Sequence, residues 1–174
     1  MKNIIFDLDQ TLVNTSILEP YRNTRNWKGA YNNIPHCRLY NELLDVFQYI
    51  RNNSIKVCIV SSSPKSYVER IVSYFNIPAD YIVGYHDTYH RKPNPEPMLK
   101  AMTLLNCTPN SVISFGDRAI DIISAHNAGI MAVGCAWDTK EMILLKNSTP
   151  DKIIYTPIEI LDILTNNTSN LLNN

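Results

Sequence analysis

An apolar run at residues 4–6 ends in two aspartates, Asp7 and Asp9, which are followed by Thr11. Its composition and the polar residues after it predict a buried β-strand. Alternate residues of a strand point the same way, so the two carboxyl groups can serve one site at the strand end. One can act as a nucleophile while its neighbour gives or takes a proton. An acidic turn without function is the alternative that this pair alone leaves open.

The rest of the chain alternates predicted strands with predicted helices. We predict strands at residues 2–8, 55–60, 81–84, 112–115, 130–134 and 152–155, and helices over 39–50, 64–75, 96–106, 118–127, 139–146 and 157–164. Ser63 is predicted to cap the helix that begins at Pro64. Such alternation indicates an α/β fold, a doubly wound parallel sheet with helices on both faces.

Polar residues follow three of these strands. Asp7, Ser61 and Asp117 each stand at a predicted strand end. Ligands of open parallel sheets bind at the carboxyl ends of the strands. We therefore expect these three side chains to share one site.

Four motifs occur in a fixed order along the chain. They are the Asp7–Asp9 pair, Ser61, Lys92 before Pro93, and Gly116–Asp117 with Asp121. Over about residues 1–165 this set resembles the haloacid dehalogenase superfamily of phosphohydrolases. The resemblance implies a Rossmann-like core as a single domain over residues 1–165, with a small lid insert after the first strand at residues 14–36. Residues 166–174 are Asn-rich and are expected to be a disordered tail.

The resemblance also implies roles for individual residues. Asp7 would be the nucleophile that forms an aspartyl phosphate, and Asp9 the general acid and then the general base. Ser61 would bind a phosphoryl oxygen through its hydroxyl, assisted by the Ser62 amide near a helix start. Lys92 would neutralise Asp7 and the transferring group.

The resemblance implies Mg²⁺ as the cofactor, a hard cation that is suited to oxygen ligands. The resemblance assigns it the carboxylates of Asp7 and Asp117 and the backbone carbonyl of Asp9, with Asp121 as a direct or water-mediated ligand. Arg118 departs from the small polar residue that often follows the aspartate of this motif.

The insert at residues 14–36 differs in composition from the rest of the chain. It is too short for a four-helix cap with its own core, so we expect a lid loop or a short helical flap. Its basic and aromatic residues could bind an anionic or planar leaving group, or could form a solvated loop. They are Arg22, Arg25, Trp27, Lys28 and Tyr31.

The implied function is a Mg²⁺-dependent phosphatase of a small metabolite, such as a sugar phosphate, a phosphoglycolate-like compound or a nucleotide. A nucleic-acid end or a phosphoprotein is the alternative substrate. The second aspartate of the Asp7–Asp9 pair argues against a dehalogenase, and the short insert argues against a phosphomutase. The intact motif set argues against a catalytically silent binding module.

The amino-acid composition limits the kinds of partner and the cellular location that we expect. Lys plus Arg equals Asp plus Glu, at 16 each, which disfavours a nucleic-acid partner. No apolar run is long enough to span a bilayer, and Asp7 lies too early to leave room for a signal peptide. The four cysteines form no Cys-x-x-Cys pair, which is typical of a reduced, cytoplasmic protein without zinc.

Overall fold

A six-stranded parallel sheet forms the centre of the computed structural model, which describes residues 3–165. The six strands of this sheet are β1 (Asn3–Phe6), β4 (Val57–Val60), β5 (Tyr81–Val83), β6 (Val112–Gly116), β7 (Met131–Cys135) and β8 (Lys152–Ile154), and a separate two-stranded ribbon consists of β2 (Val13–Asn14) and β3 (Arg38–Leu39). The sheet order is β5-β4-β1-β6-β7-β8, so the chain winds outwards in both directions from β1. The predicted doubly wound parallel sheet is confirmed.

Eight α-helices accompany the strands in the described range. They are α1 (Glu19–Asn23), α2 (Trp27–Asn33), α3 (Leu43–Asn52), α4 (Lys65–Tyr74), α5 (Glu96–Leu105), α6 (Ala119–Asn127), α7 (Met142–Asn147) and α8 (Glu159–Thr165). Two predicted helix starts are wrong: Leu39 belongs to β3 and α3 begins at Leu43, and the helix predicted from residue 139 begins at Met142. Leu39 has helical spacing to Leu43, but it pairs with Val13 across a two-stranded antiparallel ribbon.

Hydrophobic residues cover both faces of the sheet. Ile4 and Phe6 of β1 face a cluster that includes α3, α4 and α8, whereas Ile5 faces a second cluster that includes α5, α6 and α7. This division follows from the two-residue repeat of a strand. Both faces of the central strands are therefore buried, and the carboxyl ends of the strands are left to carry polar residues.

The insert between β2 and β3 folds as α1 and α2 with short 3₁₀ turns. Leu18, Ala30 and Ile34 of this segment are buried in the same cluster as Ile4 and Phe6. The insert thus packs on the main domain and shares its core. Asp138, which is far from the insert in sequence, also fixes the base of the insert. Its carboxylate accepts hydrogen bonds from the Asn14 amide (2.7 Å) and the Tyr40 hydroxyl (2.5 Å).

Two further predictions concern the ends and the environment of the chain. The tail predicted at residues 166–174 lies outside the described residues. Across residues 3–165, no helix combines the length and the apolar content that a bilayer crossing requires. All four cysteines fall within this range and are free thiols.

Candidate active site

The carboxyl ends of β1, β4 and β6 meet at one edge of the sheet. Asp7, Ser61 and Asp117 follow these neighbouring strands directly. The backbone N–H of Asp7 donates to the Phe115 carbonyl at 2.9 Å, which extends the pairing of β1 with β6 by one residue. This extra hydrogen bond fixes Asp7 beside the strand that ends at Asp117.

Lys92 connects two of the acidic side chains. Its ammonium group donates to Oδ1 of Asp7 at 2.8 Å, to Oδ1 of Asp121 at 2.5 Å and to the Val60 carbonyl at 3.0 Å. Burial alone would lower the pKa of Lys92, but Asp121 and Asp7 raise it above its ordinary value. A buried, charged lysine therefore stands between two carboxylates.

Three carboxylates form a compact oxygen cluster. One oxygen from each of Asp7, Asp117 and Asp121 lies within 4.8 Å of the others. Burial raises the pKa of Asp7 to about 7 and that of Asp117 to about 8; neighbouring carboxylates add to both shifts, and Lys92 opposes them. The cluster holds more negative charge than Lys92 balances. Hard oxygen donors with a surplus of negative charge fit Mg²⁺.

Gly116 makes the approach of Asp121 possible. A Cβ atom at residue 116 would lie 2.4 Å from Cβ of Asp121, a distance that no side chain tolerates. Oδ2 of Asp121 accepts the Arg118 backbone N–H at 3.0 Å in the first turn of α6. The Arg118 side chain is exposed and faces Glu141 at 3.4 Å, so the backbone of this residue serves the site while its side chain lies at the rim.

Asp9 is held by three hydrogen-bond donors and one ion-pair partner. Its Oδ1 accepts hydrogen bonds from Thr15 (2.6 Å) and Tyr67 (2.8 Å) and forms an ion pair with Arg22 (2.7 Å), and its Oδ2 accepts a hydrogen bond from Ser63 at 3.2 Å. The predicted helix cap at Ser63 is therefore wrong. Helix α4 begins two residues after it without a side-chain cap, because the Ser63 hydroxyl is directed to Asp9.

The serine run after β4 divides into buried and exposed residues. The side chain of Ser61 is buried, and its hydroxyl accepts the Ser63 backbone N–H at 3.0 Å. Ser62 is exposed and lines the cavity into which Asp7 and Asp9 also open. Ser61, Ser62 and Lys92 also line an adjoining space of only about 10 Å³.

One cavity of about 880 Å³ contains most of the predicted site residues, but Ser61 is not part of its wall. Its wall contains the acidic and basic residues Asp7, Asp9, Lys92, Asp117 and Asp121. The insert adds Arg22, Arg25 and Trp27, and other loops add Tyr85, His86 and Lys140.

The basic residues of the insert differ in their surroundings. Arg22 is paired with Asp9, whereas Arg25 is exposed and makes no ion pair within the described residues. Lys28 is exposed and is not part of the cavity wall. Tyr31 also lies away from the cavity, where its hydroxyl shares a hydrogen bond with Ser66 at 3.0 Å.

A family model for haloacid dehalogenase-like hydrolases matches residues 18–135, more than half of the chain. The chain belongs to this family. The predicted superfamily resemblance is thereby confirmed. Fold comparison agrees: a predicted phosphoglycolate phosphatase from Haemophilus somnus superposes with a TM-score of 0.82 at 22% identity, covering 94% of this chain and 98% of that one.

Two curated relatives of this haloacid dehalogenase-like hydrolase are pyrophosphatases named PpaX. The protein from Oceanobacillus iheyensis is 32% identical over 70% of this chain and 56% of its own length. The protein from Bacillus cereus strain G9842 is 30% identical over 78% of this chain and 65% of its own length. The chain thus spans less than two thirds of the length of these relatives.

Sequence reasoning about this haloacid dehalogenase-like hydrolase missed several polar residues at the site. Thr11 donates to Oδ1 of Asp117 at 3.3 Å, and Thr15 and Tyr67 donate to Asp9. The four-residue spacing of Tyr67 and Ile71 places both on the buried face of α4. A buried tyrosine hydroxyl needs a hydrogen-bond partner, and this requirement is the feature of the sequence that could have indicated a role for Tyr67.

Proposed function

We propose that this protein is a Mg²⁺-dependent phosphatase that forms an aspartyl phosphate at Asp7. The observation that carries the proposal is the placement of Lys92 between Asp7 and Asp121. A carboxylate attacks an anionic phosphoryl group only where positive charge is close. The lysine supplies such charge at the nucleophile itself, in a cavity that also contains Asp9.

In the first step, a carboxylate oxygen of Asp7 attacks phosphorus and forms a new P–O bond. The bond from phosphorus to the leaving-group oxygen breaks, and Asp9 gives that oxygen its proton. Asp7 and Asp9 both line the cavity, as a shared substrate requires. The products of this step are the free leaving group and a phosphorylated Asp7.

In the second step, Asp9, now a carboxylate, takes a proton from water. The water oxygen bonds to phosphorus, and the P–O bond to Asp7 breaks. Phosphate leaves, and the Asp7 carboxylate is restored. Lys92 remains within hydrogen-bond distance of Asp7 Oδ1 and compensates the charge that returns to it.

Asp7, Asp117 and Asp121 are the side chains that would hold Mg²⁺, with the Asp9 carbonyl added by the family resemblance. When bound, the metal supplies positive charge that reduces the repulsion between an anionic nucleophile and an anionic phosphoryl group. Ser61 would bind a phosphoryl oxygen through its hydroxyl, assisted by the backbone amide of Ser62. Ser62 lies on the cavity wall, and both serines line the small adjoining space.

We infer a small phosphorylated metabolite as the substrate. The cavity volume of about 880 Å³ falls among pockets that take small molecules, roughly 300–1,000 Å³. The names of the curated relatives add pyrophosphate and related phosphoanhydrides as candidates beside phosphate esters. The four free cysteines support a cytoplasmic location.

A turnover screen of the purified chain tests this proposal. Sugar phosphates, nucleotides, phosphoglycolate, pyrophosphate and 3′-phosphorylated oligonucleotides are each incubated with Mg²⁺, and released phosphate is measured. The proposal predicts turnover of at least one small compound, loss of turnover in excess EDTA and no turnover by Asp7→Asn. Turnover by Asp7→Asn at the wild-type rate would overturn the nucleophile assignment, and turnover of the oligonucleotide alone would overturn the substrate class.

A further inference from the structure

Arg22 of α1 brings a cation from the insert to the catalytic centre. Its guanidinium Nη1 lies 2.7 Å from Oδ1 of Asp9, and only 20% of the Arg22 side chain is exposed. The same guanidinium lies over the ring of Tyr67, with Cζ 5.8 Å from the ring centroid. Burial alone would lower the pKa of Arg22, but Asp9 raises it above its ordinary value.

Tyr67 approaches Asp9 from the main domain. Its side chain is fully buried on α4, and its hydroxyl donates to Asp9 Oδ1 at 2.8 Å. The Tyr67 ring also packs edge-on against Trp27 of the insert, with ring centroids 5.9 Å apart. The position of the Asp9 carboxylate therefore depends on groups from the insert and from the main domain at once.

The donors are divided unequally between the two oxygens of Asp9. Oδ1 accepts two hydrogen bonds, from Thr15 and Tyr67, and is also paired with the Arg22 guanidinium, whereas Oδ2 accepts one longer hydrogen bond, from Ser63 at 3.2 Å. Oδ2 is thus the oxygen with capacity left to exchange a proton with a leaving group or with water. Thr15, Arg22 and Tyr67 together hold Oδ1 and so determine where Oδ2 lies.

We propose that Arg22 and Tyr67 are positioning residues for Asp9, and that Arg22 acts on the chemical steps and not on substrate affinity. This inference rests on the proposed aspartyl-phosphate mechanism. In that mechanism water attacks the intermediate only when Asp9 is correctly placed to take its proton. Misplacing a catalytic group by about 1 Å can slow a reaction by up to about 100-fold.

The test is rapid-mixing kinetics with 4-nitrophenyl phosphate, whose leaving group departs without a proton. In Arg22→Ala and Tyr67→Phe, hydrolysis of the intermediate becomes the slow step. We expect a burst of nitrophenolate equal to the enzyme concentration, then a steady rate reduced by about 10- to 100-fold. Because the intermediate accumulates, KM falls together with kcat. Arg22→Lys restores part of the steady rate.

Arg70→Ala is the matched control. Arg70 is an exposed arginine of α4 that stacks over Tyr31 of the insert, 4.5 Å from the ring centroid, and it does not line the cavity. The Arg70→Ala substitution removes a contact between the insert and the main domain and leaves the contacts of Asp9 in place. Wild-type kinetics are expected, and a burst in this variant would overturn the assignment by showing that any loosening of the insert is sufficient.

Two other results distinguish a failure of the positioning role of Arg22 from a failure of the proposed aspartyl-phosphate mechanism. Asp9→Asn must itself show the burst; steady wild-type turnover by Asp9→Asn would overturn the proposed function. A burst in Asp9→Asn without one in Arg22→Ala would overturn the positioning role alone. A raised KM with unchanged kcat in Arg22→Ala would also overturn it, since Arg22 would then bind substrate.

Discussion

The ammonium group of Lys92 lies 2.5 Å from Oδ1 of Asp121, and the two side chains are only 2% and 3% exposed. Asp121 is in turn held by the backbone N–H of Arg118 at the start of α6. Asp7, the proposed nucleophile, is thus connected through Lys92 to Asp121 of helix α6. Charge balance and the geometry of the cluster are determined by the same contacts.

Replacing Lys92 by Met leaves the carboxylate cluster without its buried cation. We expect kcat to fall by about 10²–10³. We also expect the free energy of unfolding at pH 8 to fall by about 3–5 kcal/mol, because breaking a buried ion pair leaves charge uncompensated. Urea unfolding and turnover measure the two effects. Lys56→Met, which removes an exposed pair with Asp80, is the control and should change neither quantity appreciably. Equal effects in both variants would contradict the special role of Lys92.

Mg²⁺ should stabilise the protein more at pH 8 than at pH 5.5. The pKa values of Asp7 (about 7) and Asp117 (about 8) are raised in the folded protein, above the ordinary value of 3.8. Without metal, the stability that these groups contribute is fully present below about pH 3.8 and is lost progressively as pH rises, until about pH 7 for Asp7 and about pH 8 for Asp117. Mg²⁺ binds the deprotonated groups and replaces that contribution.

Thermal melts with and without Mg²⁺ at the two pH values measure this difference. Free Mg²⁺ at about 100 times its Kd adds about 2.7 kcal/mol to the free energy of unfolding at pH 8. At pH 5.5, protons compete for the same oxygens and the gain shrinks. Asp117→Asn should reduce the gain at pH 8. An equal Tm gain at both pH values in wild type would contradict binding at this cluster.

Gly116→Ala should impair catalysis and stability together. The added methyl group would meet Asp121 at 2.4 Å and push it from Lys92, at an expected cost of about 1–3 kcal/mol. Gly134→Ala is the control on the neighbouring strand, since Gly134 pairs with Gly116 in register. Its Cβ would meet only Leu145 and Pro150, at 3.3 Å, so kcat should stay close to wild type. A normal kcat in Gly116→Ala would show that Asp121 tolerates displacement.

Arg25→Ala should change substrate choice. Arg25 is exposed, unpaired among residues 3–165 and on the cavity wall, so it is free to contact an anionic leaving group. Loss of a charged hydrogen bond of about 1.5–3 kcal/mol raises KM by about 10- to 100-fold for pyrophosphate or phosphoglycolate. KM for 4-nitrophenyl phosphate, which lacks a second anionic group, should change little. Equal losses on both substrates would argue for a general effect on the site.

The strand-end residues were predictable because their positions follow from general rules. Apolar runs that alternate with helices require a parallel sheet, and such a sheet brings Asp7 and Asp117 to one edge. The place of Lys92 depended on the family resemblance, since a loop lysine carries no periodic signal. The same limit explains Leu39, whose spacing fits a helix and whose partner, Val13, lies in another segment.

The contacts of Asp9 were not predictable from the sequence. The Arg22 contact depends on how the insert folds back over the sheet, and the Tyr67 contact depends on the rotation of α4. Both are long-range contacts between elements that no local pattern relates. The same applies to Ser63, whose preference for a helix cap is overridden by a tertiary hydrogen bond to Asp9.

The most direct test of the account is to trap and locate the phosphoryl group. Asp9→Asn is mixed with 4-nitrophenyl phosphate and Mg²⁺, quenched in acid within one turnover and digested, and its peptides are analysed by mass spectrometry. We expect one phosphoryl group on Asp7, absent when Asp7 is also replaced by Asn. Nitrophenolate release without phosphorylated protein, or with the phosphoryl group on another residue, would contradict it.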